Sequence, residues 1–268
     1  MFRRHVLATP ALLTTGVYIV ALAVAAVIAL TVGNLGVLWW LTAFTETEEK
    51  VAATWPNVLV LVVAGLPWAW GLWQSLRGPL AGPAPELDQD TRRLRIALYV
   101  AAASWLLCAV LPSWPWWAVV LDAMVMWLVV TLYTSVLGPN LEFSEHARGA
   151  GVLGYAGFGV IEVLYALELP VPDWLELICG LGYLIWTVLV LRAQRRDGRW
   201  RRDTIRYGIA ALVAPFLVGL ADSLFMNETS VLVNAMGAVG VLTLIWLARS
   251  AHDLADPRSQ PAPLSPAV

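Results

Sequence analysis

The sequence contains eight long apolar runs, and these runs constrain the fold more than any other feature. A helix needs about 20 mainly apolar residues to cross the hydrocarbon core of a bilayer. Inside that core the backbone polar groups must be hydrogen-bonded within the protein, which a helix achieves with its own residues. The runs lie at residues 11–40, 58–76, 96–111, 116–137, 151–169, 174–191, 205–226 and 230–247. They predict an all-α, polytopic integral membrane bundle of eight transmembrane helices.

The composition agrees with a protein that lies in a bilayer. Hydrophobic residues make up 59% of the 268 and charged residues only 13%, whereas a soluble domain has about 45–50% and 25%. The formal net charge is -2, so no strongly basic balance indicates nucleic-acid binding. We therefore expect membrane lipids and a hydrophobic small molecule as partners, and no nucleic acid.

The charged residues between the runs predict the orientation. Arginines follow the second and sixth runs and precede the third and seventh, whereas the loops on the opposite side carry mostly glutamate and aspartate. Under the positive-inside rule the arginine side is cytoplasmic, which places both termini there. The strong preference for arginine over lysine is typical of a high-GC bacterium, so we expect a multi-pass protein of the bacterial cytoplasmic (inner) membrane. The tail at residues 251–268 is rich in proline and alanine and is predicted to be disordered and cytoplasmic.

A short internal sequence repeat predicts a duplication. Residues 119–124 read VVLDAM, and residues 231–236, which follow 112 positions later, read VLVNAM. Four helices in each half would give both halves the same orientation, as in parallel-repeat transporters. The sequence thus predicts a 4+4 parallel repeat, with one half at residues 1–137 and the other at 138–250.

Three acidic residues lie well inside the apolar runs, namely Asp122, Glu162 and Asp222, whereas Glu168 and Glu176 lie near run ends at the membrane interface. A charged group in the hydrocarbon region is costly and often marks a functional site. Apart from Arg206 at the cytoplasmic start of run 205–226, no lysine or arginine lies inside the runs to pair with them. Counting residues along the helices places all three acids at a similar depth in the outer half of the bilayer. Each is a candidate catalytic acid. The alternative is that each forms an interhelical hydrogen bond, worth about 0.6 kcal/mol on average.

The neighbours of these acids predict a cavity lined by carboxyl and aromatic groups. On a helix, residues three, four or seven positions apart share one face. By this spacing or by their depth, the residues expected to bind substrate are Met126, Tyr155, Tyr165, Phe225 and Asn234. A second spacing pattern, Gly151, Gly154 and Gly157, predicts a close contact between helices.

Two tetrapeptides carry a resemblance to a known family. Glu162-Val-Leu-Tyr165 and Asp222-Ser-Leu-Phe225 resemble the Glu-x-x-Tyr and Asp-x-x-Tyr pairs of the integral-membrane meroterpenoid cyclases. The resemblance implies cyclisation started by a proton from a carboxylic acid. Ile161 and Phe158 stand where that family has Trp and Asn. The chain has no nucleotide-binding, hydrolase or zinc motif, so we expect neither a cofactor nor a metal.

Three functional hypotheses follow. The first is a metal-free, acid-catalysed enzyme of the cyclase or isomerase type, or a lipid-handling protein, acting on an isoprenoid or lipid. The second is a proton-coupled transporter of a small molecule or lipid. The third is a non-catalytic membrane subunit that uses the arginine-rich loop from Arg192 to Arg206 to bind anionic lipid or a cytoplasmic partner.

Overall fold

The computed structural model describes residues 5–43, 51–81, 86–110, 116–141, 143–224, 231 and 237–256. Over these residues the chain is all-helical and contains no strand, and its α-helices number nine. In chain order they are α1 (Ala8–Val32), α2 (Gly36–Ala43), α3 (Trp55–Leu76), α4 (Gln89–Val110), α5 (Trp116–Leu137), α6 (Ser144–Ala166), α7 (Asp173–Asp197), α8 (Arg202–Leu224) and α9 (Val241–Leu254).

Six of the described helices are long and apolar enough to cross a membrane, namely α1, α3, α5, α6, α7 and α8. The chain is accordingly a multi-pass membrane protein in its fold. Helix α4 is as long as α3 but carries three arginines near its start, which lower its mean hydropathy. The described part of α9 has only 14 residues. The prediction of eight spans is therefore confirmed for six.

The first apolar run forms two helices, whereas the sequence predicted one span over residues 11–40. Helix α1 ends at Gly33, which adopts the left-handed conformation (φ 76°) and donates its N–H to the carbonyl of Ala29. The side chain of Asn34 then accepts a hydrogen bond from the Gly36 N–H at 2.7 Å, at the start of α2. Glycine adopts a positive φ without strain, and such a residue commonly ends a helix.

Helix α9 lies at the centre of the packing. Twelve of its 14 residues are buried, and it packs against α3, α4 and α8. Two glycines allow the close approach. A Cβ at Gly71 of α3 would lie 2.2 Å from Val241, and one at Gly208 of α8 would lie 2.8 Å from the Trp246 ring nitrogen.

The core of the bundle joins residues from both predicted halves. Tyr133 of α5 stacks on Trp246 of α9 and meets the ring of Trp186 of α7 edge-on. The predicted tail boundary at residue 251 falls inside α9, which continues to Leu254, and Asp256 is also buried. The rest of the predicted tail, residues 257–268, lies outside the described residues.

The glycine series on α6 makes the predicted close helix contact. A Cβ at Gly154 would lie 2.6 Å from the backbone nitrogen of Tyr183 on α7. A Cβ at Gly182 of α7 would lie 2.8 Å from the carbonyl oxygen of Ala150. The backbones of α6 and α7 therefore touch, which only glycine at these positions permits.

Candidate functional sites

Asp122 is held between two helices. Its carboxylate on α5 accepts a hydrogen bond from the hydroxyl of Ser104 on α4 at 2.8 Å, and its side chain is half-buried. Among the described residues it has no ion-pair partner. The arrangement satisfies one carboxylate oxygen through a hydroxyl group, which leaves the second oxygen for a proton or another ligand.

Glu162 and Tyr165 do not pair with each other in the structure. The side chain of Glu162 is exposed on the surface of α6. The hydroxyl of Tyr165 donates a hydrogen bond to Glu176 of α7 instead. This pairing is possible because α6 and α7 are packed backbone to backbone, which places the two helix ends side by side.

The other predicted substrate residues lie apart. Tyr155 packs edge-on against Tyr183 and Trp186, with ring centroids 5.4 and 5.2 Å away. Met126 is buried in the core. The side chain of Asp222, and the whole of Phe225 and Asn234, lie outside the described residues. The shared layer of three acids thus remains a prediction.

An apolar groove of about 440 Å³ opens between α5 and α6. It is lined by Val120, Ala123, Met124, Trp127, Ala156, Gly159, Val160, Val163 and Leu164. Neither Asp122 nor Glu162 is among these residues. This groove therefore lacks the carboxyl groups of the predicted cavity.

A second cavity, which we call the arginine pocket, lies at the other end of the bundle and has a volume of about 590 Å³. Its lining comes from α3, α8, α9 and the segments beside them: His5, Trp70, Gln74, Arg77, Arg201, Asp203, Arg206, Tyr207, Ala210, Leu242 and Arg249. The lining residues of each helix follow helical spacing: positions 70, 74 and 77 on α3, positions 203, 206, 207 and 210 on α8, and positions 242 and 249 on α9. One stripe from each helix therefore faces the cavity.

Arg249 is the most buried charge in this pocket, at 6% exposed. It donates hydrogen bonds to the side-chain oxygen of Gln74 at 2.8 Å and to the hydroxyl of Thr204 at 3.3 Å. Its guanidinium also lies over the ring of Tyr207, 5.5 Å from the centroid. All three partners are neutral, and within the described chain no carboxylate lies within 4 Å of its guanidinium, although Asp253 in the adjoining cavity attracts it from farther away.

Arg77 is a second arginine that has no ion pair in the described part of the chain. Its Nε is buried and has no hydrogen-bond partner in the described part of the chain. Burial and, after it, the positive charge of Arg249 lower the pKa of Arg77 to about 10, although the charge of Asp253 acts in the opposite direction. Two like charges thus share one partly buried site, where Asp253 offsets part of their repulsion and a bound anion would offset more.

The remaining ionisable groups around the pocket offset these two charges only in part, through Asp253. Arg206 pairs with Asp203 at 3.1 Å. Arg201 pairs with Asp253 at 3.7 Å and also with Asp256, both of which line a smaller cavity next to the pocket.

Burial also lowers the pKa of the histidine beside the pocket. The pKa of His5 is lowered mainly by burial and next by the charge of Arg77. This imidazole is therefore neutral at neutral pH, and the positive charge of the pocket comes from its arginines.

Sequence reasoning overlooked this pocket. In the sequence, Arg77 contributes only to the predicted orientation, and Arg249 is not among the candidate site residues. The signal was nevertheless present, because Trp70, Gln74 and Arg77 occupy one face of α3, and Leu242 and Arg249 occupy one face of α9. What the sequence lacked was the packing of both helices, together with α8, around a single space.

Over the described residues, no group of three or more His, Cys, Asp or Glu side chains is placed to hold a metal ion. What the pocket offers chemically is cationic hydrogen-bond donors beside aromatic and aliphatic surface. No protein-family model, curated protein or solved structure shows significant similarity to this chain.

Proposed function

We propose that this protein binds an amphiphilic small molecule drawn from the bilayer, and that the arginine pocket is its binding site. A single observation carries the proposal: one continuous cavity changes along its length from arginine to aromatic and aliphatic lining. Trp70 and Arg77 are seven residues apart on one helical face, which corresponds to about 10 Å. A charged head beside Arg77 would extend its chain past Trp70, Ala210 and Leu242.

The position of the pocket supports entry from the side. Helices α3 and α8 both pack against α9, and the pocket lies between α3 and α8, over the surface of α9. Trp70 is 50% exposed and donates its indole N–H to the hydroxyl of Tyr207 at 2.8 Å. Amphipathic aromatic side chains of this kind are frequent at the boundary between headgroups and hydrocarbon.

The topology predicted from the sequence complements this site. We propose eight spans in a 4+4 parallel arrangement in the bacterial cytoplasmic membrane, with α4 and the segment that ends in α9 as the remaining two. The arginine pocket would then face the cytoplasmic leaflet, where anionic lipids attract arginine. Reporter fusions at each terminus test the orientation, and an external signal from either one would contradict it.

Mass spectrometry of lipids that remain bound to the protein after purification in mild detergent tests the proposed function. We expect an amphiphile with the wild-type protein and with Arg148→Gln, because Arg148 is exposed on α6 outside the pocket. We expect it to be depleted at least about tenfold from Arg77→Gln, which loses a charge-assisted contact. Equal retention by the two variants would refute the assignment of the pocket.

A second candidate function rests on Asp122. A carboxyl group inside a long apolar helix, held by Ser104, is suited to donate a proton, either in acid catalysis on an isoprenoid or lipid or in proton-coupled transport. Asp122→Asn keeps an oxygen that can accept from Ser104 but cannot donate an acid proton. We expect this variant to fold normally and to lose product formation or proton flux, and unchanged turnover and flux would exclude both roles.

The non-catalytic subunit remains a third proposal. Arg195, Arg196, Arg202 and Arg206 all expose their side chains near the turn between α7 and α8. Such a basic surface suits an anionic membrane or an acidic cytoplasmic partner. Arg195, Arg196 and Arg202 lie outside the lining of the arginine pocket. Loss of function on neutralising these three, with no effect of Asp122→Asn, would favour this alternative.

A further inference from the structure

We propose that the arginine pocket recognises a phosphate group, so that the ligand is a phosphate-bearing amphiphile held by Arg77 and Arg249. This inference rests on the proposed function, since it names the head group of the molecule that the pocket binds. The argument depends on charge, on hydrogen-bond geometry and on the wall of the pocket.

The charge of the site favours an anion. Arg77 and Arg249 both line the pocket, and in the described chain neither has a carboxylate within the 4 Å of an ion pair, although Asp253 in the adjoining cavity attracts both from farther away. A buried charge is tolerated when it is paired and hydrogen-bonded. A carboxylate would balance one guanidinium, whereas a phosphate monoester carries up to two negative charges near neutral pH.

The hydrogen-bond donors of the site suit phosphate oxygens. The planar guanidinium presents parallel N–H groups that bind two oxygens of one phosphate at once. The Nε of Arg77 is an unused donor, and Arg249 is fixed in place by Gln74 and Thr204. Tyr207 accepts from Trp70, which leaves its own hydroxyl proton available to a ligand. The rigid partners of Arg249 prepare the site before the ligand arrives.

The surroundings reject a second cation and a zwitterionic head. Arg206 is already paired with Asp203, and Arg201 with Asp253 and Asp256, so Arg77 and Arg249 are the arginines of the pocket that have no ion pair in the described chain. A choline or ethanolamine group would lie near these two positive charges. We therefore expect phosphate monoesters to bind more tightly than anionic diesters, and both to bind more tightly than zwitterionic lipids.

The apolar wall indicates that the phosphate belongs to an amphiphile. Trp70, Ala210 and Leu242 continue the pocket beyond the arginines. Inorganic phosphate would fill only the charged end and leave this wall without a partner. A hydrocarbon chain there would instead pack against this wall through van der Waals contacts.

Binding measurements on the full-length protein test the inference. The protein is placed in phosphatidylcholine nanodiscs, and affinity is measured for phosphatidic acid, phosphatidylglycerol, a long-chain fatty acid and inorganic phosphate. We expect phosphatidic acid to bind at least about tenfold more tightly than the fatty acid or inorganic phosphate. Arg77→Gln should remove this preference, Arg77→Lys should restore part of it, and Arg148→Gln should leave it unchanged.

The outcomes separate this inference from the proposed function. If the fatty acid binds as tightly as phosphatidic acid, phosphate recognition is refuted while amphiphile binding stands. If inorganic phosphate binds as tightly as phosphatidic acid, the anion site stands and its lipid source is refuted. If no amphiphile binds, the proposed function itself fails. Because Arg77 lacks a side-chain partner in the described structure, Arg77→Gln should fold, and its helical circular dichroism spectrum checks this.

Discussion

The contact between α6 and α7 allows a stability experiment with an internal control. Gly154→Ala adds one methyl group where the two backbones touch. The new Cβ would lie 2.6 Å from the backbone nitrogen of Tyr183 and 2.8 Å from its Cα. The obstacle is backbone, so no side-chain rotation can relieve it. The helices must separate by about 0.8 Å to restore an ordinary contact distance of 3.4 Å.

The expected cost follows from two opposing effects. Overpacking in a well-packed site destabilises a protein by about 1–3 kcal/mol, whereas alanine is favoured over glycine inside a helix by about 1 kcal/mol. Gly149→Ala, on the same helix, has open space at its Cβ and gains only the second effect. The free energies of unfolding of the two variants should therefore differ by about 2 kcal/mol, a factor of about 30 in the folded-to-unfolded ratio.

Reversible unfolding of the two variants in mixed micelles, followed by circular dichroism, measures this difference. We expect Gly149→Ala to be at least as stable as the wild-type protein and Gly154→Ala to be less stable. If both variants unfold at the same denaturant concentration, α6 and α7 do not approach each other as closely as the structure shows.

Two further predictions concern buried polar groups near the arginine pocket. Burial and the charge of Arg77 lower the pKa of His252 to about 3. The imidazole of the unfolded chain binds a proton near pH 6.5, whereas that of the folded protein does not. The free energy of unfolding should therefore fall as the pH decreases below 6.5. His252→Gln should reduce this loss in denaturation curves at pH 7 and pH 5, and identical pH dependence would contradict the prediction. Gln194 donates to Tyr133 at 3.0 Å and accepts from the Trp246 indole at 3.3 Å, so Gln194→Leu should lower the free energy of unfolding by about 1–3 kcal/mol. Gln89→Leu, at an exposed position, is the control, and equal stability of the two variants would count against the network.

Hydropathy predicted the long helices well because their apolar length differs sharply from the loops. The predicted run 116–137 coincides with α5. Hydropathy did not predict the break within residues 11–40, because it does not register that Gly33 adopts the left-handed conformation after the end of α1. The glycine spacing on α6 predicted its close contact correctly, because small residues matter for their size and size is visible in the sequence.

The candidate site was harder to predict than the helices. Its charged residues come from three segments that are distant in the sequence, around Arg77, Arg201 and Arg249. A positive charge in a loop contributes to the membrane orientation whichever way its side chain points. The sequence alone therefore indicated Arg77 only as a marker of the cytoplasmic side. Whether an arginine has a carboxylate partner depends on packing, which is why Arg249 became visible only in three dimensions.

The central position of α9 has a consequence for the order in which the protein is completed. Helices α3, α4 and α8 all precede α9 in the chain, yet each packs against it. While the ribosome is still making the earlier segments, these helices lack their common neighbour, and the space that Arg249 borders does not yet exist. A nascent or prematurely terminated chain would thus expose to quality-control proteases the helix surfaces that α9 covers in the folded protein. Binding of a ligand in the arginine pocket would require that α9 has been synthesised.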